Sequence, residues 1–199
     1  MTSLPKVHIN VLDTIIARRS VRNFKKKNVD SATIDKLLEA AIHAPSTMNQ
    51  QPWSFVIIQN KSLLKNISDL AKPLLFREIQ KNKSKNTTHT FDVFENSNFN
   101  IFYNANTLIL ICGNGKLQFF DADCWLAAGN LMLAASAMGL GSCVIGSALP
   151  ALKSPEIKLQ LNIPRDIYVV VPIIIGYPNE LPIATPRKSP VIIANFTDQ

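Results

Sequence analysis

The chain has 199 residues, 47% of them hydrophobic and 18% charged, so at ~150 residues per domain it suits one domain and is too apolar to be disordered. Seven glycines and twelve prolines exclude collagen-like and low-complexity classes. Lys and Arg exceed Asp and Glu by 21 − 14 = 7, a balance that favours anionic partners such as phosphates, nucleic acid or membrane headgroups.

Residues 11–19 read as a short helix, because Leu12, Ile15, Ile16 and Arg19 follow helical spacing. Ser20 to Phe24 is extended and is followed by Lys25-Lys26-Lys27. Residues 31–43 give the clearest helix: Ile34, Leu37, Leu38, Ala41 and Ile42 recur on one face. Ser31 is the N-cap candidate, and Ala44-Pro45 ends the helix. A polar loop, Pro45 to Trp53, leads into a short apolar strand, Phe55 to Ile58, and residues 62–71 form a further helix. Residues 80–100 are rich in Asn, Lys, Ser and Thr, with Phe91, Phe94 and Phe99 among them, a composition expected of a mobile loop or lid. Thr107 to Cys112 reads as a buried strand, Asp123 to Met138 as a central helix and Ser142 to Ile145 as a strand. A short helix follows Pro155, and Ile167 to Gly176 is a strongly apolar strand. Pro172 within it lacks an N–H, so an edge position or a bend is expected. From Leu181 the tail is Pro-rich and extended, with Arg187-Lys188 near its middle. Mixed helices and few, short strands point to an α+β sandwich of helices around one sheet.

From Cys124 to Leu152 there is no charged residue, a run long enough to span a bilayer. Asn130, three serines, Pro150 and the break at Gly139-Leu140-Gly141 favour instead a helix buried in a soluble core or dimer. Cys112, Cys124 and Cys143 are far apart, with no C-x-x-C, and read as buried thiols in a reducing compartment. His8, Asn10 and Asp13 interrupt the only apolar stretch at the N-terminus, so no signal peptide is expected and cytoplasm is the default. His43, at a helix end, reads as a capping or surface residue.

Three features could carry chemistry. Arg18-Arg19-Ser20-Val21-Arg22 puts three guanidinium groups and a hydroxyl within five residues. Arg forks grip phosphate oxygens, and in an extended segment Ser20 and Arg22 face the same way. A solvated basic surface or a nucleic-acid patch would also account for the cluster, although no nucleic-acid motif accompanies it. Pro45-Ser46-Thr47-Met48-Asn49-Gln50-Gln51-Pro52-Trp53 crowds hydroxyls and amides that could bond the polar edge of a planar heterocycle, or simply cap a turn. Gly139-Leu140-Gly141-Ser142-Cys143-Val144-Ile145-Gly146 lets backbone approach a ligand closely. It is neither a dinucleotide fingerprint nor a P-loop.

In their order and spacing these features resemble the nitroreductase family of flavoproteins. The first resembles its R-R-S-x-R-x-F opening and the second its P-S-x-x-N-x-Q-P-W loop. Asp123 through Gly146 is similar to its central helix and following strand, and Ile173 to Pro178 with Pro186-Arg187-Lys188 resembles its last core strand and C-terminal arm. The likeness spans roughly residues 10 to 190, except for 75–100.

The resemblance implies a three-layer αβα sandwich around one mostly antiparallel sheet, with an extended C-terminal arm exchanged in a homodimer. It implies one FMN-binding domain over residues 1–199, with a flexible lid or loop at roughly 75–100. Carried over by position, Arg18, Arg19 and Ser20 would hold the FMN phosphate and ribityl chain, and Arg22 would lie near the pyrimidine end. Pro45, Ser46, Thr47 and Asn49 would reach the flavin across the dimer seam. Ile145 and Gly146 would offer backbone contacts near flavin N5, and Arg187 and Lys188 would close on the phosphate. No protein nucleophile, metal or general acid is expected, because the cofactor carries the chemistry. The implied activity is NAD(P)H-dependent, ping-pong reduction of nitroaromatics, quinones or similar small electrophiles, with NADH or NADPH as reductant. A flavin store or sensor without turnover, and a basic nucleic-acid-binding protein, are the alternatives; neither nucleic acid nor membrane is the expected partner.

Overall fold

The computed structural model describes residues 10–81, 96, 99–180 and 182–197. Helix α1 (Val11–Ala17) is capped by the Asn10 side chain, which accepts from Leu12 N–H at 2.9 Å. Helix α2 spans Ser31–Ile42. Its N-cap is Asp30 rather than the expected Ser31: the Asp30 carboxylate accepts from the Thr33 N–H at 2.8 Å and from its hydroxyl at 2.9 Å, and a charged acceptor makes the stronger cap bond.

Strand β1 (Trp53–Ile58) is followed by α3 (Lys61–Lys81). Helix α3 runs ten residues past the expected end and straight through Pro73. Proline forfeits one helical bond, but Leu64, Ile67 and Ala71 before it are buried and Leu74 after it packs on the same core. The expected lid at 75–100 therefore begins as helix, while residues 82–95 and 97–98, with Phe91 and Phe94, lie outside the described residues. Then follow β2 (Thr107–Asn114), α4 (Phe120–Ala137), β3 (Gly141–Val144), α5 (Leu149–Leu152), α6 (Pro155–Gln160) and β4 (Ile167–Gly176). The single turn α5 was not foreseen; Pro150 sits at its start, where a missing N–H costs nothing.

The four strands form one antiparallel sheet in the order β1-β2-β4-β3. Period-two alternation sends successive residues to opposite layers. Leu108, Leu110, Cys112 and Ile174 pack with Ile67, Leu152 and Ile157, under α3, α5 and α6. Ile109, Ile111, Ile173 and Ile175 pack with Leu37, Ala41, Ala127 and Leu131, under α2 and α4. The result is a three-layer αβα sandwich. In β4, Val170 is passed over between the pairs Ile111–Val171 and Cys112–Val169, and this bulge turns Val169 to the first layer.

Pro172 lies in β4, which is internal to the sheet, so of the two expected settings, an edge or a bend, the edge does not apply. Its carbonyl accepts from Ile145 N–H at 2.9 Å, so its missing N–H faces the β3 side as well. Strand β3 ends at Val144, paired with Ile173, one register step before that gap. The proline is thus tolerated where its neighbour has already stopped.

Ser20 and Val21 lie on the outer edge of β3, and Phe24 lies beside the chain that leaves β4. Ser20 bridges Ser142 in parallel, Val21 N–H donates to Ser142 O at 3.0 Å, and Phe24 bridges Pro178. Glycines permit this approach: a Cβ on Gly141 would stand 2.6 Å from Val21 Cγ2, and one on Gly176 would stand 2.9 Å from Phe24 Cδ1. The tail 182–197 carries no helix or strand and is exposed from residue 183 onward, presenting Ile183, Val191, Ile192, Ile193 and Phe196. Among the described residues no helix is long and apolar enough to cross a membrane.

Gly141→Ala should force Val21 and its neighbours off β3. Urea denaturation should show a loss of about 1–3 kcal/mol, as for other overpacked sites, whereas an unchanged midpoint would show that the segment is not seated as described.

Candidate functional site

Arg18 caps the C-terminus of α1, its N–H donating to Thr14 O at 2.9 Å. The guanidinium of Arg19 folds back, with Nη1 donating to the carbonyls of Ile16 and Arg18. Its Nε is buried with no hydrogen-bond partner. A buried donor left unmade costs roughly 1–3 kcal/mol, so this position is suited to an acceptor from outside the chain. Buried Val21 separates exposed Ser20 and Arg22, the alternation expected of an extended segment. Arg22 lies over the ring of Tyr103, 5.7 Å from its centroid. The Ser20–Ser142 bridge sets this segment beside Cys143 of β3, where Arg22, Ser20 and Arg18 oppose the upward push of burial on its thiol. The structure therefore brings this part of the sequence-derived set together.

Of the next pair, Ile145 is committed within the chain. Its N–H donates to Pro172 and its carbonyl accepts from Ala148 N–H at 3.0 Å. Among the described residues nothing accepts from the Gly146 N–H, and a Cβ there would meet nothing within 4 Å. Gly146 is the member of the pair with an available donor and open space beside it.

The loop after α2 is conformationally costly. Met48, Asn49 and Gln51 have φ of 49°, 56° and 48°, left-handed values that cost non-glycine residues roughly 1 kcal/mol apiece. Ser46 Oγ accepts from Gln51 N–H at 2.9 Å, and Asn49 Oδ1 accepts from Gln51 Nε2 at 3.1 Å. Thr47 is held by Asp123, in the first turn of α4. Its N–H reaches both carboxylate oxygens at 3.2 Å and its hydroxyl reaches Oδ1 at 3.4 Å. Asp123 is buried. Sequence reasoning did not single it out; the available signal was an acid directly before the uncharged run from Cys124.

Pro45, Ser46, Thr47 and Asn49 share this loop, yet among the described residues no hydrogen bond or ion pair joins it to Arg18–Arg22 within one chain. Arg187 and Lys188 are exposed on the tail, with no such partner among the described residues either. His43 is the exposed C-cap of α2, its Nδ1 2.8 Å from Glu39 O. Phe99 packs edge-to-face on Tyr103, with centroids 5.5 Å apart, which is ordinary core packing.

A flavoprotein-like αβα sandwich with an arginine-loaded sheet edge and an open glycine at the strand's end is the class these features define. The chain belongs to the nitroreductase family, whose profile matches residues 15–177. It is similar to a Bacteroides fragilis nitroreductase solved with bound FMN, at 26% identity and TM-score 0.77, over 96% of this chain and 100% of that one. It also resembles an iodotyrosine deiodinase solved with FMN and 3-iodo-L-tyrosine, at 25% identity and TM-score 0.76, over 94% and 100% of the two chains. By sequence it is 28% identical to the oxygen-insensitive NADPH nitroreductase of Helicobacter acinonychis over 74% of this chain and 79% of the relative.

The three cysteines are free and buried, as expected. Burial pushes the Cys112 and Cys124 thiols from 9.0 up to about 12, and the Cys143 thiol upward. Raised values favour the protonated folded state, so this contribution to stability is complete below pH 9 and is lost as pH rises from 9 toward 12. A thiol reagent at pH 8 should therefore leave native protein unlabelled and modify all three cysteines after denaturation; fast labelling of native protein would contradict the burial.

Proposed function

We propose that the chain is an NAD(P)H-dependent FMN oxidoreductase that reduces nitroaromatics, quinones or similar small electrophiles. The observation that carries this reading is the orphaned, buried Nε of Arg19 within the Arg18–Arg22 segment. FMN phosphate carries close to two negative charges, and an acceptor oxygen there would satisfy that donor. The open space at Gly146 fits the close approach of a planar ring. Bound FMN supplies a carrier for hydride and electrons, so no nucleophile is required of the protein.

Each residue then has a physical task. Arg18 and Arg19 neutralise the phosphate, Ser20 bonds the ribityl chain, and Arg22 places a cation near the pyrimidine end, where it would favour the reduced, anionic ring. The Gly146 N–H offers a donor toward N5, while Ile145 holds the turn in place through Pro172. Reductant and oxidant would occupy the same open face in turn, giving ping-pong kinetics.

The site is completed by a second copy of the chain. Val11, Leu12, Ile15 and Ile16 of α1, Trp125 and Leu126 of α4 and the apolar tail are exposed, more apolar surface than a monomer usually presents. A homodimer would cover them. It would bring Pro45, Ser46, Thr47 and Asn49 of one protomer to the arginines of its partner, and carry Arg187 and Lys188 to the phosphate. Residues 1–199 then act as one FMN-binding domain, and three buried thiols suit a reducing cytoplasm. A second reading, reductive dehalogenation of a halogenated aromatic, draws on the likeness to the deiodinase bound to 3-iodo-L-tyrosine; comparing turnover of a nitroaromatic and of 3-iodotyrosine separates the two.

Purified protein should show a flavin absorption band that bleaches when NADH or NADPH is added under nitrogen. A colourless protein that takes up no added FMN would remove the central claim. Arg18→Ala should lose FMN on gel filtration while melting near the wild-type temperature; flavin retained at full stoichiometry would refute the phosphate assignment. A chain ending at Glu180 should sediment as a monomer and fail to hold FMN, and an intact dimer would exclude the tail from the interface.

A further inference from the structure

We infer that Asp123 is the positioning residue of the 45–51 loop, its buried carboxylate holding Thr47 by backbone and hydroxyl and so fixing where the loop presents its polar groups to the flavin. This rests on the FMN reading for its functional consequence, although the anchor itself is a property of the chain alone.

The placement of Asp123 has no simpler use. An acid in the first turn of a helix is favoured by the helix dipole without being buried, and exposed Asp121 already occupies that turn. Asp123 instead sits beside Cys124 at the rim of the core formed by α2, α4 and the sheet. A buried carboxylate is retained only where donors reach it. Here every donor among the described residues comes from Thr47: one N–H shared by both oxygens, and one hydroxyl.

The loop needs such an anchor. Thr47 is the last residue before the left-handed pair Met48 and Asn49, and Gln51 is left-handed again. The bonds from Gln51 to Ser46 and Asn49 close the loop on itself. They fix its shape without tying it to the sandwich. The Asp123–Thr47 contact makes that tie, to the helix whose buried face rests on the sheet. Thr47 commits both donors inward, so it sets position, and Ser46 and Asn49 are left to meet the ligand.

The test uses the full chain with Asp123→Ala, Asp123→Asn and Thr47→Val. In flavin-free protein, hydrogen exchange across residues 46–51 should rise about tenfold or more in Asp123→Ala, the scale of one lost charged hydrogen bond. Asp123→Asn keeps an acceptor for the Thr47 N–H and should recover most of the protection. At saturating FMN, Asp123→Ala should alter the visible circular dichroism of the bound flavin and weaken FMN binding by about tenfold, with Asp123→Asn again closer to wild type. A folded Asp123→Ala with wild-type loop exchange and wild-type flavin dichroism would overturn the proposal. Should Asp123→Ala not fold, Thr47→Val decides: it removes the hydroxyl bond to the carboxylate, so loop exchange should rise, and wild-type exchange across 46–51 together with wild-type flavin dichroism in that variant would overturn the proposal. Failure of the wild-type protein to take up FMN would sink the flavin reading, while loop exchange in the variants would still decide the anchor.

Discussion

A missing hydrogen-bond donor in the middle of the sheet organises the region that matters most. Strand β4 is internal, and Pro172 presents a carbonyl but no N–H toward β3. Strand β3 cannot pair past that point, so the chain bonds once through Ile145 and turns away. The turn leaves the Gly146 N–H without an acceptor among the described residues. On its other edge the same short strand admits Val21 against the bare backbone of Gly141, which seats the arginine-bearing segment alongside. Two features expected to serve one ligand are thus set by a strand of four residues, its length fixed by a proline on one neighbour and its accessibility by a glycine of its own.

Helix α2 and strand β4 were legible because each is long enough for its hydrophobic period to dominate, and β4 matches its expected bounds. The Arg18–Phe24 and Gly139–Gly146 motifs were legible as a family pattern because their order and spacing are specific. Elements that depend on partners distant in sequence were not. Helix α3 continues through Pro73 because both flanks bury apolar residues on the sheet, which local propensity does not register. Pro172 suggested an edge or a bend, since its tolerance in an internal strand depends on where β3 stops. The pairing of Arg22 with Tyr103, and of Thr47 with Asp123, joins residues far apart in the chain and leaves no periodic trace. The resemblance placed Ile145 and Gly146 together at the flavin; only the geometry separates them, one donor being used by Pro172 and the other left open.

The uncharged stretch from Cys124 to Leu152 is explained by burial. Helix α4 packs against both α2 and the sheet, with Leu131, Ala127, Ala128 and Ala135 inaccessible. Small residues let helix and sheet approach closely, and Asn130 ties α4 to α2 by donating to Ala40 O at 3.2 Å. Trp125 and Leu126 of the same helix emerge at the surface, near the end that holds the strained loop. Core packing and the proposed subunit contact thus share one helix, which links the position of the loop to both.

The bridge between Ser20 and Ser142 has a consequence for the order in which the molecule assembles. Strands β3 and β4 are separated only by α5 and α6, so they can meet early. The arginine segment must wait for a partner on the far side of β1, β2 and α4 in the sequence. Contacts of such wide separation close late, since the chain entropy they confine is recovered only once their docking surface exists. The sandwich can therefore form first as a scaffold, and the arginine-bearing segment is added to a finished edge. A newly made chain would seat its proposed phosphate-binding segment in a final step, distinct from the collapse that builds its core.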